Sequence, residues 1–230
     1  MLNLQLLISG AGSNAQAIMQ ACQQPQGSLS RTCRVQQLIS NRVDAGGLAK
    51  ATANNILANV VVSKTTSQAL FEAKLLEQLN RAPMDILVLA GFMKILSAQF
   101  IEQCPCPILN IHPSLLPAYK GLDTYRRALA DQQAYHGVSV HLVTAELDDG
   151  PILAQIQLAI NPDDTVDSLK TRVQRLEHWL YPKCLHLIGS GQIQLTKATV
   201  EFMSNDFQNT TSARTFLWQE QDILNGALPA

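Results

Sequence analysis

Through the first half of the chain, short apolar runs ending in glycine, asparagine or proline alternate with segments whose apolar residues fall three and four positions apart. Leu4–Ile8 runs into Ser9-Gly10-Ala11-Gly12-Ser13-Asn14. A helix follows with Ala15, Ile18, Met19 and Cys22 at helical spacing, and Ser13 or Asn14 is its expected N-cap. Val35–Ile39 predicts a second strand, followed by a helix from about Ala45 to Asn54. A third strand is expected over Asn59–Val62, a helix over Ser67–Arg81 and a fourth strand over Ile86–Leu89. A short helix over Ala98–Gln103 leads into a strand from Pro107 to Ile111. This alternation predicts right-handed crossovers and a parallel sheet. Runs without polar alternation, such as Ile86–Leu89, belong to a sheet covered on both faces.

The second half changes character. Thr124–Ala130 predicts a helix. Gly137–Val143 alternates, as a strand with two unlike faces does. A turn at Asp148-Asp149-Gly150-Pro151 separates it from a strand over Ile152–Ile160, so the two are expected to pair antiparallel. A long helix over Asp164–Ile188 and a short strand over Gln192–Leu195 follow. From Lys197 the pattern weakens. This tail, which includes the polar, turn-rich stretch Asn205–Ala213, is expected to wrap the surface or to be partly mobile. The expected fold is α/β: a Rossmann-like doubly wound sheet, parallel in its N-terminal half, with antiparallel strands added in the C-terminal half. One domain is expected over 1–195, with halves of about 1–105 and 106–195, and an extension over 196–230.

Composition narrows the function. With 17 Lys and Arg against 18 Asp and Glu, no basic face is implied and nucleic acid is not an expected partner. Cys22, Cys33, Cys104, Cys106 and Cys184 have no zinc or redox spacing and read as reduced thiols. No apolar run is long enough to span a membrane, and Met1–Gln5 lacks a secretory pattern, so a cytoplasmic protein is expected. The five histidines, at 112, 136, 141, 178 and 186, form no metal-ligand motif, and no metal is assigned.

Four features carry chemistry. Gly10-Ala11-Gly12-Ser13-Asn14-Ala15 lies between a strand and a helix, where glycines admit a ligand and a helix N-terminus offers free amides to a phosphate. The alternative is an ordinary tight turn. Ser40-Asn41-Arg42 ends the second strand without a ribose-binding acid, which disfavours NAD and leaves NADP through Arg42 open. Asn110 and His112 lie two apart at a strand end, hence on one face. An amide donor beside an imidazole can stabilise an oxyanion and move a proton; the bland alternative is a capped strand end. Glu146-Leu147-Asp148-Asp149 is either solvated punctuation or, if it folds back, the source of a carboxylate that favours the charged imidazole. Glu177 is a helical glutamate of the kind usually facing solvent, and His141 reads as a satisfied core histidine.

The order of these pieces resembles the glycinamide ribonucleotide formyltransferases, a branch of the folate-dependent formyltransferase superfamily. The resemblance rests on Leu7–Asn14, Ile39–Asn41, Val88–Ser97, Leu109–Pro117, His136–His141 and Glu146–Pro151, with Arg172–Gln174, Glu177-His178 and Tyr181-Pro182. It covers roughly residues 4 to 195. It implies formyl transfer from 10-formyltetrahydrofolate to the amine of 5′-phosphoribosylglycinamide in purine synthesis, by a monomer or homodimer acting on small molecules. By motif, Asn110, His112 and Asp148 are the expected catalytic set. Gly12, Ser13 and Asn14 would hold the phosphate, and Gln174 and Glu177 the ribose and glycinamide. Gln68, Met93, Lys94, Ile95, Leu96, Asn110, Thr144, Ala145, Glu146, Leu147 and Asp148 would line the folate site.

Several positions depart from the pattern this resemblance leads one to expect. Asp149 stands where a first glycine is usual, and Ala118-Tyr119-Lys120-Gly121 where lysine, tyrosine, proline and glycine often follow. Asp123 and Tyr125 replace two histidines, and Gln68 stands near a usual folate-contacting arginine. Two other readings stay open here: a hydrolase deformylating the same folate, and a non-catalytic nucleotide-binding protein. A methionyl-tRNA formyltransferase would need a basic C-terminal domain that 196–230 is too short to supply.

Overall fold

In a computed structural model, which describes residues 1–203 and 216–224, one eight-stranded sheet organises the chain. The strands are β1 (Leu2–Ile8), β2 (Cys33–Ser40), β3 (Leu57–Val60), β4 (Ile86–Leu89), β5 (Ile108–His112), β6 (Tyr135–Leu142), β7 (Ile152–Ala159) and β10 (Phe216–Gln219). The sheet order is β10-β7-β6-β5-β4-β1-β2-β3. Pairs from β3 through β5 are parallel, whereas β5–β6 and β6–β7 are antiparallel. The chain reverses its direction of sheet growth between β1 and β4. In open α/β sheets ligands bind at such a switch point, outside the carboxyl ends of the strands. The loops after Ile8, Leu89 and His112 all leave from that edge.

The helices are α1 (Ser13–Gln23), α2 (Ser28–Thr32), α3 (Gly47–Ala53), α4 (Gln68–Leu79), α5 (Ala98–Gln103), α6 (Thr124–Ala130), α7 (Val166–Gly189) and α8 (Glu220–Leu224). A two-stranded sheet, β8 (Ile193–Leu195) with β9 (Val200–Phe202), stands apart. Leu4, Leu6 and Ile8 of β1 pack into a core shared with α1 and α7, while Leu7 joins a second core under α4 and α5. The sheet is thus covered on both faces, as its unbroken apolar strands require.

Several polar groups buried in these layers are matched to backbone carbonyls. The last carbonyls of a helix lack intrahelical donors. At α4, Gln5 Nε2 donates to the carbonyls of Leu79 and Ala82, and Gln37 Nε2 donates to that of Gln78. The Tyr181 hydroxyl on α7, fully buried, lies 3.1 Å from the Leu89 carbonyl and 2.9 Å from that of Leu109. It therefore fixes the ends of β4 and β5 just below Asn110.

Four sequence expectations are corrected. Neither Ser13 nor Asn14 caps α1: Gly12, at φ 65°, is the cap residue and supplies no side chain. Strand β3 begins two residues early, because its register on β2 runs from Leu57 to Val60. The faces of β6 are not unlike: every residue after Tyr135 is buried. Its polar positions are covered by the 113–118 segment, where Ser139 Oγ donates to the Ser114 carbonyl and accepts from Leu116 N. Finally, the chain beyond 195 adds β10 along β7, with Trp218 edge-on to Trp179 of α7 at 5.2 Å. The turn-rich stretch Asn205–Ala213 lies outside the described residues.

The turn after β6 is tight. A Cβ at Gly150 would lie 1.9 Å from the Leu142 carbonyl oxygen, so the turn must move to accept one. Gly150→Ala is therefore expected to destabilise the fold by roughly 1–3 kcal/mol, measured by thermal or denaturant unfolding. Unchanged stability would show that the turn does not press on β6.

Candidate active site

At the end of β1 the backbone turns through Ser9-Gly10-Ala11-Gly12. Gly12 is left-handed, and a Cβ there would lie 2.9 Å from the Gly47 Cα, so the turn packs directly on the start of α3. Gln16 N makes the first helical bond, to the Gly12 carbonyl. The amides of Ser13, Asn14 and Ala15 therefore face out of the helix start. No acidic residue occupies the first turn of α1 to oppose an anion.

Gln174 and Glu177, three apart on α7, present one face to that turn. Gln174 Nε2 donates to Ser13 Oγ at 3.1 Å, and Asn14 Nδ2 donates to Glu177 Oε2 at 2.9 Å. Glu177 is buried rather than solvent-facing. Burial pushes its carboxyl up to about 7, against smaller downward pulls from Asn14 and Lys170. The Asn14 Oδ1 is buried and has no partner among the described residues. Arg42, in contrast, forks onto Asp44 on the surface.

Asn110 and His112 end β5, opposite His141 and Ser139 of β6 in the antiparallel register. The buried His141 is held from both sides. Its Nδ1 lies 2.8 Å from the Leu142 carbonyl, which can only accept, so Nδ1 carries the proton. Its Nε2 is then an acceptor for Asn110 Nδ2 at 3.2 Å. Burial lowers the His141 pKa and outweighs the attraction of Asp148, 3.6 Å away. A neutral His141 thus orients the Asn110 amide. The expectation of a satisfied core histidine at 141 holds, and the structure adds its contact with Asn110 across the β5–β6 pair.

His112 is fixed by the same logic. Its Nε2 donates to the Tyr119 carbonyl at 2.9 Å, so the exchangeable proton is the one at Nδ1. That nitrogen lies 3.4 Å from Asp148 Oδ2, and both side chains are under 10% exposed. Asp148 Oδ2 also accepts from Gly121 N at 2.9 Å. The backbone is left-handed at Asp148 (φ 48°) and at Tyr119 (φ 55°). Such conformations cost non-glycine residues of order 1–3 kcal/mol and persist where surrounding contacts hold them.

These residues open onto a cavity of about 510 Å³. Ten of the eleven residues expected at a folate site line this cavity, from Met93–Leu96, Asn110 and Thr144–Asp148. Gln68 does not. Its short amide turns back to donate to Glu72 Oε1 and the Ile95 carbonyl, so it braces the wall from behind. Gly12, Ser13, Asn14, Gln174 and Glu177 form the neighbouring group rather than the cavity wall. Tyr125 and Lys170, both lining the cavity, connect the two. Burial first, and then the Glu177 carboxylate, raise the Tyr125 phenol above its ordinary value. Ser9 joins the loops themselves, donating its N–H to the Gly91 carbonyl and accepting from Met93 N. Among the described residues, no group of three or more His, Cys, Asp or Glu is placed to hold a metal ion, and no helix is long and apolar enough to cross a membrane.

The formyl transferase family pattern matches residues 2–185. The phosphoribosylglycinamide formyltransferase of Escherichia coli K12 is 38% identical over 195 residues, covering 84% of this chain and 90% of that protein. Among solved structures, that of the Coxiella burnetii phosphoribosylglycinamide formyltransferase superposes with a TM-score of 0.83 at 38% identity, over 94% of this chain and 99% of the other. The Brucella melitensis enzyme of the same name gives 0.76 at 40% identity, over 85% and 98%. A sheet with this order, a glycine turn facing α7 and an Asn110–His112–Asp148 cluster at the cavity therefore occur in a chain that belongs to the formyl transferase family, on its phosphoribosylglycinamide formyltransferase branch.

Proposed function

We propose that the chain transfers a formyl group from 10-formyltetrahydrofolate to the amine of 5′-phosphoribosylglycinamide, with Asn110, His112 and Asp148 as the catalytic set. The observation that carries this reading is their convergence at one wall of the cavity, beside a separate anion-binding turn. The cavity has apolar sides, including Leu89, Phe92 and Val143, and the backbone of 91–96 and 143–148 along its edges. That combination suits a flat, hydrogen-bonding pterin. Gly12, Ser13 and Asn14 would hold the phosphate on free amides and the helix dipole. The unpartnered Asn14 carbonyl and the Gln174 and Glu177 side chains would take the ribose and glycinamide.

The substrate amine is already a nucleophile, so no side chain has to be activated as one. Attack on the formyl carbon builds negative charge on its oxygen. Asn110, pre-aimed by His141, can donate to that oxyanion. Such a donor is typically worth about 3–4 kcal/mol. Protonated His112 can pass its Nδ1 proton to the departing folate nitrogen. The attacking amine, which must shed a proton to become a neutral formamide, returns one to that imidazole, held 3.4 Å from Asp148. Anchoring the phosphate away from the reacting amine reduces the entropic cost of attack. A hydrolase would not need the Gly12–Asn14 turn, the Glu177 face of α7 or their pairing; their presence favours the transferase.

His112→Ala is expected to lower kcat for formyl transfer by roughly 100-fold or more, with substrate Kd changed only several-fold. Full activity in this variant contradicts the assignment. Glu177→Gln should raise the ribonucleotide KM by about tenfold, from one weakened hydrogen bond to the ligand. It should also change the pH dependence of stability. Glu177 is neutral in both folded and unfolded chains below about pH 4.5; between there and about pH 7 only the unfolded chain ionises it, so the wild type loses stability as pH rises. The stability of Glu177→Gln relative to wild type should therefore improve by on the order of 2 kcal/mol between about pH 5 and about pH 8. A difference independent of pH would show that Glu177 is not held neutral by burial.

A further inference from the structure

Two of the unusual positions in this chain meet. Lys120 Nζ lies 2.6 Å from Asp149 Oδ1, joining the segment after β5 to the turn after β6. Each partner is one residue from a group that touches the catalytic pair. On one side, Tyr119 offers its carbonyl to His112 Nε2 and Gly121 its amide to Asp148 Oδ2. On the other, Asp149 follows Asp148 directly. The 119–121 segment is further braced where Arg127 donates to the Lys120 carbonyl at 2.7 Å and stacks over the Tyr119 ring at 5.2 Å. Residues 121–125 and 144–148 both line the cavity.

We propose that the Lys120–Asp149 ion pair is a clamp that positions the proton-transfer pair. It ties the two segments together in the register where the Tyr119 carbonyl keeps the proton on His112 Nε2 and the Gly121 amide holds Asp148 against His112 Nδ1. The proposal rests on the catalytic reading of His112 and Asp148. Lys120 and Asp149 are positioning residues and act through the backbone between them. The pair is partly exposed, with side chains 35% and 53% accessible, so it adds little to global stability. Its weight falls on geometry, because small displacements of reacting groups are costly in rate. An exposed pair is also weakened by salt, which makes the clamp tunable.

The test is a double-mutant cycle on the full-length protein with Lys120→Met, Asp149→Ala, their combination, and the exchanged pair Lys120→Asp with Asp149→Lys. Each single variant should lower kcat roughly three- to tenfold while the ribonucleotide KM stays within about twofold. The double variant should be no worse than the singles, as coupled neighbours are not additive. The exchanged pair should recover kcat to within about twofold of wild type at low salt. Wild-type kcat should fall with added salt, and that of the double variant should not. Melting temperatures within about 2 °C of wild type would show that all variants fold. Single variants with wild-type kcat, or additive losses without recovery in the exchanged pair, would overturn the clamp. His112→Ala in the same assay separates the two claims: its inactivity beside fully active clamp variants rejects only the clamp, whereas its full activity rejects the catalytic reading beneath it.

Discussion

The position of one carboxylate constrains the rest of the site. Asp148 has left-handed backbone, is nearly buried, and lies between two imidazoles with a backbone amide on one oxygen. A carboxylate so placed needs donors close to it. The Gly121 amide donates to it, and His112 turns its exchangeable Nδ1 toward it. His141 is kept neutral by burial and gives its lone pair to Asn110 instead. The two histidines are one strand apart and differ in role because one nitrogen of each is fixed by a different backbone carbonyl. Hydrogen bonds from outside the cavity thus decide which proton is mobile.

The second constraint is the reversal of the sheet between β1 and β4. It puts the glycine turn, the 90–96 segment and the end of β5 along one edge, and α7 crosses beneath them. Tyr181 joins β4 to β5 from below, while Gln174 and Glu177 reach the start of α1 from the same helix. A phosphate-bearing ligand and a folate-sized ligand can then be held by different elements and meet near Asn110. The antiparallel β6 and β7 supply what a purely parallel sheet would lack: a tight turn that brings Asp148 back to the end of β5.

Much of this frame is legible in the sequence, because its elements follow local periodicity. β4, α5 and α6 fall on the residues that the apolar pattern indicates. The association of Asn110, His112 and Asp148 was legible only through motif order, since nothing in the spacing of 112 and 148 forces contact. What escaped depends on tertiary partners. Asn14 looks like a helix cap but faces Glu177, because Gly12 already occupies the cap position with left-handed backbone. His141 is core as expected, but its contact with Asn110 lies across the sheet. Gln68 is expected at the cavity, but its amide folds back on Glu72 instead. β10 is separated from the main pattern by a polar stretch, and its pairing with β7 has no local signal.

On the proposed reading, two bound molecules meet at Asn110 and His112, and neither reacts well alone. The most direct measurement follows loss of the formyl group from 10-formyltetrahydrofolate spectrophotometrically, with and without 5′-phosphoribosylglycinamide. The account predicts rapid loss only when the ribonucleotide is present, with stoichiometric formylation of its amine. Equal deformylation without the ribonucleotide, or none in either case, would contradict it.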